Sequence, residues 1–158
     1  MSEYLTQLDR SRRFIERLRN QNRERNDYED DLWSFFQNTW HLKDWIKNDP
    51  TVPQSVKDTI EEDIKQFDVL MICGDLANRS KHLKLSKIRK DAKVGGREIV
   101  VVAQETIGGS KSKVTQSWDY LITLGDGSTR KALDVAKAAI QAWETLLLQY
   151  GLDKDSDL

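Results

Sequence analysis

Both prolines of the chain, Pro50 and Pro53, lie in one short segment, NDPTVP, at positions 48–53. Proline opposes helix formation and also restricts the residue before it, so this segment separates two long stretches that are free of such breaks. On either side of it, apolar residues recur at intervals of three and four, the period of an amphipathic helix. The spacing predicts helices over residues 3–25, about 26–48, from 54 or 55 to about 83–85, and about 129–150.

The third predicted helix is apolar nearly all round from Phe67 to Cys73, which is typical of a central helix packed on several sides. After it, residues 94–107 are rich in β-branched side chains and residues 114–124 alternate, as the strands of a hairpin do. We therefore predict a mainly α fold, a four-helix bundle-like domain with a β-hairpin inserted between helices three and four.

The predicted domain is a single one over residues 1–151, with the hairpin at about 97–124. Ser128 is expected to cap the last helix and Gly151 to end it. Residues 152–158 are expected to be an acidic, disordered tail.

Composition narrows the class of protein. The chain of 158 residues contains no apolar run near the ~20 residues that a membrane span needs. Its opening segment, MSEYLTQLDRSRRF, lacks the apolar centre of a signal peptide. Cys73 is the only cysteine, so an internal disulfide is excluded. We expect a cytoplasmic protein with no membrane partner.

The net charge is −1, but the charge is unevenly placed. Residues 10–25 hold seven arginines against two glutamates, and residues 26–31 then hold four acids. Such an Arg-rich first helix could bind a nucleic-acid backbone. The neighbouring acids cancel much of its field, which favours a solvated face or a dimer surface instead. The patchy field also favours association with a second copy, and we expect a homodimer.

The segment CGDLANRSKHLKL, at positions 73–85, contains polar and charged residues directly after the apolar run. Asp75, Asn78 and His82 are spaced by three and four residues, so they share one stripe of a helix. Lys81 lies beside that stripe. His82 is the member that can exchange a proton near neutral pH. The stripe continues a core-facing line, which makes it the candidate ligand-binding site.

The second helix offers one further candidate, His41, in WHLKDW at positions 40–45. His41 is a further candidate ligand-binding residue of the same site, and it meets His82 only where helix three is offset or kinked at Gly74. Two interpretations of the polar stripe stay open. In one it is a helix end, with Asp75 and Arg79 forming an ordinary surface pair. In the other it is a polar pocket at the mouth of the bundle, whose buried groups must be hydrogen-bonded.

Motifs for metal binding and nucleophilic catalysis are incomplete. Two histidines and one cysteine give no metal-ligand spacing. Ser80 lies two residues from His82 and therefore on a different helix face. The segment GGSKS lacks the GxxxxGK[ST] pattern of a phosphate loop. We predict no metal, no cofactor and no catalytic residue.

The pair WHLKDW and CGDLANRSKHLKL resembles a group of small bacterial proteins from phage-like and mobile-element settings, for which no activity is established. More distantly, a helical bundle with a polar, His-containing motif on its third helix resembles the HEPN superfamily of nucleotide-binding and ribonuclease domains. That resemblance implies a dimer and, in the ribonucleases, an Arg and a His separated by four to six residues. Here Ser80 and Lys81 alone separate Arg79 from His82.

The sequence thus favours a binding or accessory module that holds a small anionic or nucleotide-like ligand through Lys81 and His82. One alternative is a metal-independent ribonuclease of HEPN type, with His82 as general acid or base. A second alternative is nucleic-acid binding through the Arg-rich first helix.

Overall fold

A computed structural model describes residues 2–20, 23–81, 93–104 and 113–154 of the chain. The protein is mainly helical with a small antiparallel sheet, which confirms the fold class at that level. The elements are α1 (Glu3–Arg19), α2 (Arg25–Asn48), α3 (Gln54–Asp63), a 3-10 turn (Ile64–Gln66), α4 (Asp68–Lys81), β1 (Lys93–Gln104), β2 (Lys113–Thr123), β3 (Thr129–Lys131) and α5 (Ala132–Tyr150).

The first and last helices run antiparallel, side by side. The Tyr4 hydroxyl, near the start of α1, donates a hydrogen bond to the Leu152 carbonyl just after α5. About two turns before the end of α1, an Arg12–Glu144 ion pair of 2.8 Å joins the same two helices. The glycine after α5, Gly151, adopts the left-handed conformation with φ of 71° and ends the helix, as the sequence predicts.

Helix α2 lies antiparallel to α1 and parallel to α5. The Gln7 amide donates to the Asn38 carbonyl at 3.1 Å, and the Tyr28 hydroxyl donates to the Leu18 carbonyl at 3.0 Å. In the core, the indole N–H of Trp143 donates to the Thr39 carbonyl at 2.9 Å. These bonds fix the register of the three helices around an apolar interior. The largest fully buried side chains include Trp143, Tyr4, Phe35, Phe36, Leu8, Leu18, Leu32 and Leu42.

The prediction of one continuous third helix is wrong. Helix α3 ends at Asp63, a 3-10 turn follows, and Phe67 takes an extended conformation with φ of −112° and ψ of 105°. Helix α4 then begins at Asp68. Its apolar centre behaves as the sequence indicates, since every residue from Leu70 to Ala77 is buried. The predicted end near residues 83–85 lies outside the described residues.

Within the described residues the sheet has three strands, in the order β1-β2-β3. Strands β1 and β2 pair antiparallel from Lys93↔Thr123 to Gln104↔Lys113, and the register shifts once between Val94 and Arg97. The sheet meets the helices where Tyr120 stacks on Tyr28 of α2, with ring centroids 5.1 Å apart.

The third strand also displaces the predicted start of the last helix. Residues 129–131 pair with β2, and α5 begins only at Ala132. The expected cap by Ser128 is therefore wrong, because its hydroxyl bonds to Asp126 in the preceding turn at 2.6 Å. Across the described ranges, none of the helices has both the length and the apolar content that crossing a membrane requires.

Candidate functional site

The polar stripe of α4 starts in the protein interior. Asp75 is completely buried, with 0% of its surface exposed, and Met71 one turn earlier is 8% exposed. Asn78 and Arg79, one turn later, are half-buried. The predicted core-facing line is therefore present from Met71 to Asp75, and it approaches the surface at Asn78.

Among the acidic residues that the structure describes, Asp75 is the most completely buried, followed by Asp49 at 3% exposed. A carboxylate removed from water loses several kcal/mol of solvation unless donors or a positive charge replace that water. An ordinary surface pair with Arg79 would leave the carboxylate in contact with solvent. The burial of Asp75 therefore favours the interpretation of the stripe as a polar network over that of a simple helix end.

The neighbouring residue, Gly74, explains how this part of α4 is held. A Cβ built on Gly74 would lie 3.0 Å from ring carbons of Trp40 on α2. The two helices can approach this closely because position 74 has no side chain. The contact fixes the depth at which Asp75, the next residue, enters the interior.

His41 follows Trp40 in sequence but turns to a different side of α2. Its side chain is 52% exposed, and its Nδ1 lies 3.1 Å from Oδ2 of Asp44. This i, i+3 pair is the one that the spacing in WHLKDW allows. The structure thus brings His41 to Asp44 at the surface and does not bring it to Asp75.

Lys81 and His82 complete the set of predicted site residues. Lys81 is the last residue of α4, and its side chain, like the whole of His82, lies outside what the structure describes. Their contact with Asp75 and Asn78 stays a prediction, which follows from the helical spacing.

A second charged cluster beside the same helix contact is not evident from the sequence. Lys43 is largely buried, lies 5.0 Å from the ring of Trp40, and bonds to Oε1 of Glu61 at 3.0 Å. Lys47 reaches the same oxygen at 2.9 Å. Burial acts to raise the pKa of Glu61, but the two lysines outweigh it and the pKa falls below its ordinary value. Sequence reasoning missed the cluster because Glu61 lies on α3, beyond the proline segment.

The cluster sets two lysines against two carboxylates, because Oδ1 of Asp44 also lies 3.3 Å from the Lys43 ammonium, so its formal charges balance. The hydrogen bond to Glu61 in turn raises the pKa of Lys47. Lys47 therefore stays protonated at neutral pH. The two lysines tie α2 to α3 through Glu61, and Lys43 also lies over the Trp40 ring.

Among the residues that the structure describes, no three His, Cys, Asp or Glu side chains come together in a way that could hold a metal ion. Comparisons of the chain with protein-family models, with curated proteins and with solved structures find no match.

Proposed function

We propose that this protein is a non-catalytic binding or accessory module that holds a small anionic, nucleotide-like ligand at the polar stripe of α4. The observation that carries the proposal is the complete burial of Asp75 on a stripe that reaches the surface one turn later. A buried carboxylate destabilises a fold unless donors surround it, so its presence in the core favours a functional reason.

The stripe suits an anion because the Asp75 carboxylate can hold neighbouring hydrogen-bond donors in fixed positions. A carboxylate in a low-dielectric interior attracts donors and cations strongly, which restricts their motion. The predicted donors are Asn78 and His82 on this stripe and Lys81 beside it, at the spacing of neighbouring helix turns. Donors fixed in this way bind a phosphate or carboxylate with little loss of conformational freedom.

We also propose that α1, α2, α4 and α5 form a four-helix bundle-like unit, with the β1–β2 hairpin inserted between α4 and α5. The contacts of α1 with α2 and α5, and of α4 with α2 and α5, support this arrangement. We further propose that the unit acts as a homodimer, which rests on the uneven charge along the chain.

Ligand titration tests the proposed function. Adenosine monophosphate should shift amide NMR signals around Asp75 and Asn78. Replacing Lys81 or His82 by alanine should weaken that binding about tenfold or more, because each removes a charge-assisted hydrogen bond. His41→Ala is the matched control, since this histidine is paired with Asp44 at the surface. Unchanged affinity in the His82→Ala protein would contradict the proposal.

The ribonuclease alternative has a separate readout. A HEPN-type enzyme would cleave RNA without metal, and His82→Ala would abolish that cleavage. We expect no cleavage, because two residues rather than four to six separate Arg79 from His82. Cleavage that depends on His82 would overturn the non-catalytic assignment.

A further inference from the structure

A surface groove runs between α1 and α5, away from the α4 stripe. Its volume is about 420 Å³, and four cationic side chains line it against two carboxylates, an excess of two positive charges. Ile15 of α1 and Ile140 of α5, each 6% exposed, form part of its lining. The groove therefore combines a small apolar floor with a cationic rim.

Two of the four cations already have partners. Arg12 bonds to Glu144 across the groove and to Asp9 on its own helix, and Arg19 pairs with Glu16 at 3.5 Å. The other two, Arg13 and Lys137, form no ion pair with any residue in the described part of the chain. They stand on opposite helices and line the same cavity, so an anion between them would meet both.

The rest of the Arg-rich segment, which extends past the end of α1, is poorly suited to a nucleic-acid strand. Arg17 and Arg23 both pair with Asp31 of α2, at 3.6 and 2.7 Å. A polymer backbone needs a run of several free cations, each neutralising one phosphate. The pairing leaves this surface with a short cationic site, which fits one compact anion.

We propose that the groove between α1 and α5 binds a phosphomonoester that carries an apolar or aromatic body, of which a mononucleotide is an example. Arg13 offers a planar fork that matches phosphate oxygens, and Lys137 offers a second positive charge. The two isoleucines contact the body of the ligand. Gln141, which also lines the groove, supplies an amide for a hydroxyl or ring nitrogen.

The Arg12–Glu144 pair adds a way to test the charge balance. Both side chains are close to half exposed, and exposed pairs contribute little to stability. Glu144→Gln should therefore leave the fold intact while removing a negative charge and freeing Nη2 of Arg12 for the ligand, with Nη1 still held by Asp9. Affinity for a phosphomonoester should rise several-fold, a gain that damage to the fold would not produce.

The experiment compares adenosine monophosphate, adenosine and inorganic phosphate as probes, by calorimetry and by amide NMR shifts. We expect adenosine monophosphate to bind best and to shift residues 13, 15, 137 and 140. Arg13→Gln and Lys137→Gln should each weaken it about tenfold, the loss of one charge-assisted hydrogen bond. Lys154→Gln removes an exposed charge outside the groove and should leave affinity unchanged.

The outcomes separate this site from the α4 stripe. Shifts confined to residues near Asp75 would overturn the groove and leave the proposed function standing. Shifts confined to the groove would overturn the proposed function at the α4 stripe and leave the groove proposal standing. Equal affinity in the wild-type and Arg13→Gln proteins would overturn the groove, and so would binding that needs an RNA chain rather than a single nucleotide.

Discussion

The six-membered ring of Trp40 on α2 lies against Gly74 on α4 so closely that a Cβ at position 74 would stand 3.0 Å from two of its carbon atoms. Trp40 is itself 6% exposed and has Lys43 over its ring, so it has little room to retreat. The contact therefore sets the distance between the two helices at the level of the buried Asp75.

Gly74→Ala should destabilise the protein despite the better helix propensity of alanine. Alanine gains about 1 kcal/mol in a helix interior, whereas overpacking a core contact costs about 1–3 kcal/mol. We expect a net loss of roughly 1 kcal/mol in the free energy of urea unfolding, by the same two terms.

A second substitution tests the reason for that loss. Trp40→Phe removes the ring atoms that the new methyl group would meet. On that background, Gly74→Ala should be neutral or stabilising, and the double-mutant cycle isolates the contact. Equal losses in both backgrounds would show that the Trp40 ring is not the cause.

Thr39→Val should stabilise the protein. Thr39 is completely buried, and among the described residues its Oγ1 has no hydrogen-bond partner. Replacing the hydroxyl by a methyl group removes a polar group that is costly to bury, a gain of about 1 kcal/mol. Thermal unfolding measures it. The backbone carbonyl of Thr39, which accepts the Trp143 indole bond, is unaffected, and a lower midpoint would reveal a partner for Oγ1.

Asp49 should make the free energy of unfolding fall as the solution becomes acidic. Burial acts to raise its pKa, but hydrogen bonds from the Thr51 hydroxyl and backbone and from the Glu3 backbone outweigh burial and lower it. The stabilisation is then complete above the unfolded-state pKa of about 3.9 and is lost as the pH falls through the lower folded-state pKa. Asp49→Asn should cost about 1–3 kcal/mol at pH 7 and reduce the loss of stability on acidification.

The measurement is urea unfolding at pH 7 and at successively lower pH, with exposed Asp153→Asn as the control. Thr51 donates two hydrogen bonds to one oxygen of this carboxylate, since its backbone N and its hydroxyl oxygen lie 2.8 and 2.6 Å from Oδ1 of Asp49. If wild type and Asp49→Asn lose stability in parallel as the pH falls, the carboxylate does not carry this linkage.

Cys73 should resist thiol reagents in the folded protein. It is completely buried, and burial raises the pKa of its thiol, so little reactive thiolate forms. Reaction with Ellman's reagent should be complete in denaturant and negligible in buffer at neutral pH. Rapid labelling of the native protein, at the rate of free glutathione, would mean that α4 opens readily.

Helical spacing predicts which side of each helix is buried, because that pattern is local to the helix. The apolar positions Leu32, Phe35 and Ile46 of α2 and the buried run of α4 follow directly from the sequence. The break before α4 does not, because Ile60, Ile64 and Phe67 keep helical spacing across it and no glycine or proline marks it. Strand β3 was missed because its pairing with β2 depends on tertiary contacts.

In the candidate site, too, the residues that depend on local helical spacing were predictable and those that depend on tertiary contacts were not. Asp75 lies where the core-facing line places it, because the stripe is local to one helix. His41 was expected near it, but which side of α2 meets α4 depends on the Trp40–Gly74 contact. The groove of Arg13 and Lys137 joins segments far apart in sequence, and no local pattern reports their meeting.

The contact between α1 and α5 also determines when the core can close during translation. Arg12 and Glu144 are 132 positions apart, and Trp143 of the late helix fills the core beside Thr39. At ribosomal rates of about 5–20 residues per second, roughly 10 s separate synthesis of these two helices. During that interval the apolar sides of α1 and α2 that α5 covers have no native partner, so closure of the core waits until translation of α5 is complete. Until then, the exposed apolar surface makes the nascent chain prone to aggregation.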